Sequence, residues 1–332
     1  MRVFVTGGAG FIGSNFIRWV LRHHDVQVTN FDLLTYAGNL DSLREVDGDP
    51  RYRFVKGDIR DADAVRAAMD GHDAVVNFAA ESHVDRSIEG PAEFLSTNVG
   101  GAGVVFEAGR TLGIERFLHI STDEVYGSIA RGSFEESDGL FPNSPYSASK
   151  AGADLLARTY GETYDYPMLV TRTTNNFGPF HYPEKVIPLF VTNLMDGVEV
   201  PLYGDGSNVR DWIYVEDNAE AQWVVLTEGV PGTVYNVGAG NELSNLELTH
   251  EILARFDAGE DMIRRVEDRP GHDLRYSVDT SRVRELGWAP RHSFADALDA
   301  TVDWYRDNEW WWRPLKDAGA SQRRGLSSRD DG

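Results

Sequence analysis

The 332-residue sequence contains no cysteine. This absence excludes disulfides, thiolate metal sites and cysteine nucleophiles, and it is consistent with a reducing compartment. Long apolar runs are missing as well, because none approaches the roughly 18 residues that a membrane-spanning helix needs. The chain opens directly on a strand-like segment, residues 2–5, without the layout of a signal peptide. We therefore expect a soluble cytoplasmic protein.

Basic residues are scarce, with 32 Lys and Arg against 53 Asp and Glu and a formal net charge of -21. Such a chain repels phosphate polymers and anionic lipid, so we expect neither nucleic acid nor a membrane as partner. A ligand that carries phosphate must be small and locally held. With 41% hydrophobic residues, the chain has enough apolar material for one large domain or two ordinary ones.

The first half of the chain alternates short β-branched runs with helical patterns. This alternation is typical of parallel strands joined by crossover helices, and it predicts an α/β fold with a Rossmann-type doubly wound parallel sheet. Strands are predicted at residues 2–6, 26–31, 52–56, 73–77, 116–121 and 168–172. Helices are predicted to follow from Phe11, Asp61, Ala92 and Tyr146.

The composition changes after about Asn175, where loops become rich in Pro, Gly and aromatic residues. We predict an NAD-binding Rossmann domain at residues 1–175 and a smaller, mainly substrate-binding region at residues 176–316. A strand near residues 233–238 could return to the first sheet. Residues 317–332 lack apolar periodicity and are expected to form a disordered tail.

A glycine-rich turn with Gly7, Gly10 and Gly13 follows the first strand and opens a helix. In this context, backbone amides and the helix N-terminus can bind a pyrophosphate. Asp32 ends the second strand about 20 residues downstream, where a carboxylate accepts hydrogen bonds from an adenosine ribose and repels a 2′-phosphate. The sequence therefore favours NAD over NADP.

Tyr146 and Lys150 are four residues apart on one predicted helix, which Ser144 and Pro145 would begin. A tyrosine has a pKa near 10, and we expect the neighbouring ammonium and a bound nicotinamide to lower the pKa of Tyr146. The phenol would then serve as a base.

Thr122, Asp123 and Glu124 follow the strand predicted at residues 116–121, at the edge where doubly wound sheets bind ligands. Like charges push the pKa values of adjacent carboxyls apart, so one can act as acid while the other acts as base. Elimination of water needs both an acid and a base at the substrate. Oxidation of an alcohol would not need this second pair of groups.

These features resemble the dTDP-glucose 4,6-dehydratase family of the extended short-chain dehydrogenase/reductase superfamily. The Thr-Asp-Glu triplet is the specific part, whereas the glycine turn and the Tyr/Lys pair are shared across the superfamily. The matching segments span nearly all of the chain apart from the tail: residues 6–14, 32–40, 79–88, 121–127, 146–150, 175–179, 210–219 and 269–276.

The resemblance implies a lyase that converts dTDP-glucose to dTDP-4-keto-6-deoxyglucose. Tyr146 would remove the C4 hydroxyl proton while hydride passes to NAD, with Thr122 bonded to that oxygen and Lys150 to the nicotinamide ribose. Glu124 would then take the C5 proton and Asp123 would protonate the departing C6 hydroxyl, before hydride returns to C6 and a proton to C5. Oxidation must come first, because the C5 proton is a poor acid until the 4-ketone exists.

The resemblance also assigns contacts. Cofactor contacts fall on Gly7, Gly10, Phe11, Ile12, Gly13, Asp32, Leu33, Leu34, Thr35, Asp58, Ile59, Ala79, Ala80, Thr97, Tyr146, Lys150 and Asn176. Substrate contacts fall on Ser82, Thr122, Asn175, Lys185, Val186, Pro201, Tyr203, Arg210, Asn245, Arg269 and His272. No metal site is expected, since His83 and Asp85 lack a third ligand.

Two alternatives remain open. The chain could be a related epimerase, decarboxylase or dehydratase for another sugar nucleotide, although the adjacent Asp123 and Glu124 favour dehydration. It could also be a non-catalytic dinucleotide-binding module, which would not need Tyr146 or Lys150. The resemblance further implies a homodimer formed through the helices at residues 92–112 and 145–164.

Overall fold

The computed structural model describes residues 1–166, 168–268 and 271–327. Its centre is a seven-stranded sheet in the order β10-β6-β5-β4-β1-β2-β3, in which every neighbouring pair is parallel. The strands are β1 Arg2–Thr6, β2 Gln27–Asp32, β3 Tyr52–Lys56, β4 Ala74–Asn77, β5 Arg116–Thr122, β6 Leu169–Thr173 and β10 Val234–Val237. The expected Rossmann-type sheet is confirmed, and each of its six predicted strands is present with ends that differ by at most one residue.

Helices cover both faces of this sheet. The helices of the described residues are α1 Phe11–His23, α2 Ala62–Met69, α3 Val84–Glu89, α4 Pro91–Phe94, α5 Ala102–Leu112, α6 Pro145–Tyr164, α7 Val186–Met195, α8 Val215–Glu228, α9 Asn245–Ala254, α10 Ser281–Glu285, α11 Phe294–Asp307 and α12 Glu309–Ser327. On one face, Phe16 of α1 and Val225 of α8 belong to one apolar cluster. On the other face, Met69 of α2, Phe106 of α5 and Ala157 of α6 belong to a second cluster. Two covered faces explain why the central strands are apolar on both sides.

The helix predicted from Ala92 is built in three parts. Between α4 and α5, residues Leu95–Gly101 form a π-helical turn. Such turns are rare and frequently lie at functional sites. Short 3₁₀ helices complete the local structure at Leu40–Leu43, Asp123–Tyr126 and Glu260–Met262.

Local sequence fixes the start of α6. The Ser144 hydroxyl accepts a hydrogen bond from the Ser147 amide, and the Ser147 hydroxyl in turn accepts one from the Ser144 amide. Pro145 occupies the first helical position, where it needs no hydrogen-bond partner for its nitrogen. The helix that carries Tyr146 and Lys150 therefore begins at the expected place.

The remaining strands form two small sheets. One has the order β11-β9-β7 and the other pairs β12 with β8, from strands β7 Asn175–Phe177, β8 Val200–Tyr203, β9 Val209–Tyr214, β11 Glu242–Ser244 and β12 Ile263–Val266. Around them, Phe190 of α7, Ile252 of α9, Val302 of α11 and Trp312 of α12 share an apolar cluster. This second core lies beside the carboxyl end of the central sheet, since β7 follows β6 after a single residue.

Strand β10 pairs with β6, so residues beyond 175 also build the central sheet. The division of the chain at residue 175 stays a proposal. The tail expected at residues 317–332 includes the last part of α12 and residues 328–332, which lie outside the described residues. The disorder expected for it stays a prediction. Within the described ranges, no helix is long and apolar enough to cross a membrane.

Candidate active site

A cavity of about 350 Å³ opens between the carboxyl ends of the central strands and the small sheets. In the sheet, β1 lies between β2 and β4, so the chain reverses its direction of winding there, and doubly wound folds bind ligands at this point. The predicted site residues that line the cavity are Gly7, Gly10, Phe11, Ile12, Gly13, Asp32, Leu33, Thr35, Asp58, Ile59, Ala79, Ala80, Ser82, Thr97, Thr122, Asp123, Glu124, Tyr146, Lys150, Asn175, Asn176, Lys185 and Val186.

The glycine turn at one end of the cavity leaves no room for side chains. Gly7 has φ 68°, and a Cβ on it would lie 2.6 Å from the amide nitrogen of Ala79. A Cβ on Gly13 would lie 2.4 Å from the carbonyl oxygen of Gly7. The bare turn lets the amino end of α1 approach a ligand, as a pyrophosphate site requires.

Asp32 forms the adjoining wall. Its Oδ2 accepts a hydrogen bond of 2.9 Å from the Ala9 amide, and its Oδ1 accepts one of 2.7 Å from the Leu34 amide. Burial raises the pKa of Asp32, and these two amides lower it again. Each carboxylate oxygen keeps a second lone pair for a ligand hydroxyl. The donor set of the turn and this carboxylate fit an adenosine diphosphate with a free ribose 2′-hydroxyl.

Asp58 and Ile59 continue this wall. The Asp58 carboxylate accepts a hydrogen bond of 2.7 Å at Oδ2 from Arg60, and this contact lowers the pKa of Asp58. Arg60 also lines the cavity and donates a hydrogen bond of 2.7 Å to Glu93. The carboxylate is therefore held in place beside the cavity.

Lys150 lines the same cavity and is buried. Its Nζ donates a hydrogen bond of 2.6 Å to the carbonyl oxygen of Ile120 on β5. Burial lowers the pKa of Lys150 to about 8, while the carboxylate of Asp154 one turn further along α6 raises it. Asp154 is itself bound by Arg172 through two hydrogen bonds of 2.9 Å.

Without a bound nicotinamide the pKa of Tyr146 is not lowered, and the expected effect of the nicotinamide stays a prediction. Burial raises the pKa of Tyr146 well above 10, and the carboxyls of Glu124 and Asp123 raise it further. A hydrogen bond with Thr122 lowers it only in part. The sequence shows the cation of Lys150 one helical turn from Tyr146. It does not show that the fold brings the two carboxyls close to the phenol.

Thr122, Asp123 and Glu124 lie where β5 ends and the 3₁₀ turn Asp123–Tyr126 begins. The Thr122 hydroxyl accepts a hydrogen bond of 3.3 Å from the Glu124 amide and donates one of 3.2 Å to Oδ1 of Asp123. Oδ2 of Asp123 is buried and has no hydrogen-bond partner among the described residues. The cavity wall thus presents a carboxyl oxygen that is available to a ligand.

The two carboxyls differ in environment, as expected. Asp123 is only 2% exposed, whereas Glu124 is half-buried. Burial, and after it the charge of Glu124, raise the pKa of Asp123 to about 8 against the opposing charge of Arg210. Asp123 is therefore mainly protonated near neutral pH.

Six of the predicted site residues lie outside the wall of this cavity: Leu34, Pro201, Tyr203, Arg210, Asn245 and His272. Arg210 donates hydrogen bonds to the carbonyl oxygens of Val209 and Asp273, and its guanidinium lies 4.2 Å from the ring centre of Tyr276. Its charge acts on Asp123, so it remains close to the carboxyl pair.

The rings of Tyr203 and His272 lie edge to face with centres 6.4 Å apart, and His272 Nδ1 lies 2.7 Å from Oδ1 of Asp268. Pro201 belongs to β8, like Tyr203, and Asn245 begins α9. Arg269 falls outside the described residues. The predicted substrate contacts beyond the cavity therefore stay predictions.

The structure adds residues that the sequence analysis missed. Asn98, in the π-helical turn, donates hydrogen bonds to the Glu81 carbonyl oxygen at 2.9 Å and to the Ser149 hydroxyl at 2.8 Å. Its own Oδ1 accepts one of 2.8 Å from the Glu81 amide. Asn98 follows Thr97 directly, but nothing in the sequence points to a partner 51 residues away.

Other residues line the cavity although the sequence did not predict them as site residues. They are Tyr36, Ser121, Thr173, Thr174, His181, Glu184 and Trp311. Trp311 belongs to the run Trp310, Trp311 and Trp312 at the start of α12. Trp311 and Trp312 are buried in the second core, and Trp310 is exposed. Trp311 therefore packs in the second core and also lines the cavity.

Comparison with known proteins identifies similar chains. A family model described as GDP-mannose 4,6 dehydratase matches residues 4–301. The dTDP-glucose 4,6-dehydratase of Streptomyces niveus is 54% identical and covers 95% of this chain and 96% of its own length. The low-salt glycan biosynthesis protein Agl12 of Haloferax volcanii is 56% identical, with 92% and 98% covered.

Among solved structures, that of DesIV, a dTDP-glucose 4,6-dehydratase from Streptomyces venezuelae determined with NAD bound, superposes with a TM-score of 0.93. It is 53% identical in sequence. The match covers 95% of this chain and 100% of that one.

Proposed function

Because this chain belongs to the dTDP-glucose 4,6-dehydratase family of the extended short-chain dehydrogenase/reductase superfamily, we infer that it converts dTDP-glucose to dTDP-4-keto-6-deoxyglucose. It is a hydro-lyase that uses NAD as a resident cofactor. When bound, NAD takes up the C4 hydrogen with its electron pair and gives it back at C6, so that it ends the cycle unchanged.

NAD fits the residues on the cavity wall. The bare glycine turn accommodates the pyrophosphate at the amino end of α1. Asp32 receives the adenosine ribose and disfavours a 2′-phosphate. Lys150 holds the ribose beside the nicotinamide, at the end of the cavity where Tyr146 lies.

The chain's own residues divide the proton transfers. Tyr146 removes the proton of the C4 hydroxyl, and Thr122 hydrogen-bonds the same oxygen. Residues of the protein alone raise the pKa of Tyr146, and the positive charge of a bound nicotinamide would lower it again.

Water is then lost across C5 and C6. Glu124 takes the C5 proton, which the 4-ketone has made acidic, and Asp123 gives a proton to the departing C6 hydroxyl. A proton returns to C5 when the hydride is given back at C6. The observation that carries this proposal is the contrast within one pair: Asp123 is buried with its pKa raised to about 8, while Glu124 beside it is half-buried. An acid and a base thus stand next to each other.

An epimerase of the same fold is the main alternative. It would need Thr122, Tyr146 and Lys150 to oxidise C4, but it would have no use for a buried acid beside a second carboxyl. The position of Asp123 in the cavity wall therefore favours dehydration.

We also propose that the protein is a homodimer in the cytoplasm, where NAD and sugar nucleotides are available. Leu95 in the π-helical turn and Leu155 on α6 are exposed, at 55% and 53%, on the helices expected to pair. Burying apolar side chains of this size against a second copy would stabilise the dimer. Size-exclusion chromatography with light scattering of wild-type protein and Leu155→Glu measures the association; a dimeric variant would argue against this interface.

The activity is tested with purified protein and no added NAD. Incubation with dTDP-glucose should give the alkali-induced absorbance of a 4-keto-6-deoxy product, and a parallel incubation with UDP-glucose should give far less. Turnover of UDP-glucose alone would contradict the substrate assignment. Formation of the C4 epimer without any keto product would instead indicate the alternative activity.

A further inference from the structure

Residues 178–182, here called the strap, pass over the first turns of α1. The ring of His181 stacks on that of Phe11 with centres 4.1 Å apart and planes inclined by 8°. Asn15 donates a hydrogen bond of 2.9 Å to the carbonyl oxygen of Pro179. Phe11 and His181 both line the cavity, so the strap covers the end that receives the pyrophosphate.

Aromatic residues of the last two helices hold the strap from outside. The ring of Phe180 lies 4.5 Å from Trp304 and 5.4 Å from Trp311, measured between centres. The hydroxyl of Tyr305 donates a hydrogen bond to the carbonyl oxygen of His181. Phe180 has φ 66°, a conformation that is unfavourable for a residue with a bulky side chain. Surrounding contacts must therefore keep the strap in this shape.

Trp311 connects the strap to the segment that contains Ser42. Its indole Nε1 donates a hydrogen bond of 3.2 Å to the hydroxyl of Ser42. Ser42 lies in the short helix Leu40–Leu43, which follows the loop after Asp32. Trp311 is only 3% exposed and itself lines the cavity. One side chain thus touches both the strap and the segment that follows the Asp32 loop.

We propose that Trp304, Tyr305 and Trp311 form a clamp that retains NAD by holding the strap and the Ser42 segment closed around it. The three residues lie beyond residue 301, where the match to the family model ends. The need for retention rests on the proposed function. If the cofactor left between oxidation at C4 and reduction at C6, the hydride would be lost and the 4-ketone could not be carried on to product. The clamp slows cofactor release and takes no part in the proton transfers.

The clamp is tested by NAD release from the holoenzyme. Tyr305→Phe removes one hydroxyl, and Trp311→Phe keeps an aromatic ring but loses the bond to Ser42. Exchange of bound NAD for isotopically labelled NAD, with the NAD content per protomer after gel filtration, measures retention. Because each variant loses one hydrogen bond, we expect dissociation to be roughly two- to ten-fold faster. Trp310→Phe, at an indole that is 47% exposed, is the matched control and should exchange like wild type.

Circular dichroism on heating shows whether each variant is folded. If Trp311→Phe unfolds early, Ser42→Ala removes the same hydrogen bond without changing a ring. Wild-type exchange rates in folded Tyr305→Phe and in folded Trp311→Phe or Ser42→Ala would overturn the clamp. A wild-type protein that purifies without NAD and does not bind it would overturn the proposed function instead, so the two failures are distinguishable.

Discussion

The side-chain amide of Asn98 donates a hydrogen bond of 2.8 Å to the hydroxyl of Ser149, which donates one of 2.7 Å to the carbonyl oxygen of Tyr146. Asn98 also binds both backbone groups of Glu81, next to the cavity residues Ala79 and Ala80. The π-helical turn thereby couples the cofactor wall to the helix that carries the phenol.

Replacing Ser149 by Ala should separate these two roles. The hydrogen bond from Asn98 to Glu81 remains, so NAD content should stay at the wild-type level while kcat falls, because Tyr146 is less firmly positioned; we expect roughly a ten-fold loss. Asn98→Ala leaves the backbone groups of Glu81 without partners and should lower both NAD content and kcat. Steady-state kinetics and NAD extraction measure these effects. An equal loss of NAD in both variants would contradict the assignment.

The combined change Asp123→Asn and Glu124→Gln should stop the reaction after oxidation. Both substitutions preserve shape, so substrate should still bind and the bound cofactor should still be reduced, but almost no keto product should be released. Single-turnover absorbance of reduced NAD, followed by product chromatography, separates the two steps. Undiminished dehydration would remove both carboxyls from the mechanism.

The stability of Asp123→Asn relative to wild type should depend on pH. The folded protein raises the pKa of Asp123 to about 8, so it binds this proton more tightly than the unfolded chain, whose pKa is about 4. Wild type should therefore lose stability relative to the Asn variant as pH rises from about 4 to about 8, by up to about 1.4 kcal/mol per pH unit. Above about pH 8 the difference should level off.

Urea unfolding at about pH 5, 7 and 9 measures this change in the free energy of unfolding. Glu124→Gln removes a charge that raises the pKa of Asp123, so it should move the upper end of this pH range downward. A difference between wild type and Asp123→Asn that is constant over this range would show that Asp123 is ionised with an ordinary pKa.

The buried pair of Arg172 and Asp154 should be sensitive to the loss of one partner. Arg172 binds Asp154 through two hydrogen bonds of 2.9 Å and donates a third, of 2.7 Å, to the hydroxyl of Tyr126. Arg172→Met leaves a carboxylate buried without its cation and should cost about 3–5 kcal/mol of unfolding free energy. The double change Arg172→Met with Asp154→Leu should cost less. Denaturant unfolding of the single and double variants measures both losses. If the double variant lost the sum of the two single-variant losses, the two residues would not stabilise each other.

Much of the fold followed from local patterns. Runs such as Ala74–Asn77 are short, apolar and followed by turns, and strand formation needs little more than this. The capped start of α6 and the glycine turn before α1 are also local, because each depends on residues within a few positions. Asp123 and Glu124 are adjacent in the chain, so their meeting at one site required no tertiary information.

The chemical state of the site depended on packing. The sequence placed the carboxyl pair at the carboxyl end of a strand, where doubly wound sheets bind ligands, and the resemblance to the family implied that Tyr146 and Lys150 belong to the same active site. Only the tertiary structure decided that burial and two carboxyls raise the pKa of Tyr146, and that Trp311 reaches the cavity beside Ser42. The periodicity of a sequence does not show which distant side chains will bury an ionisable group. Burial shifts the pKa of that group and thereby decides whether it is charged.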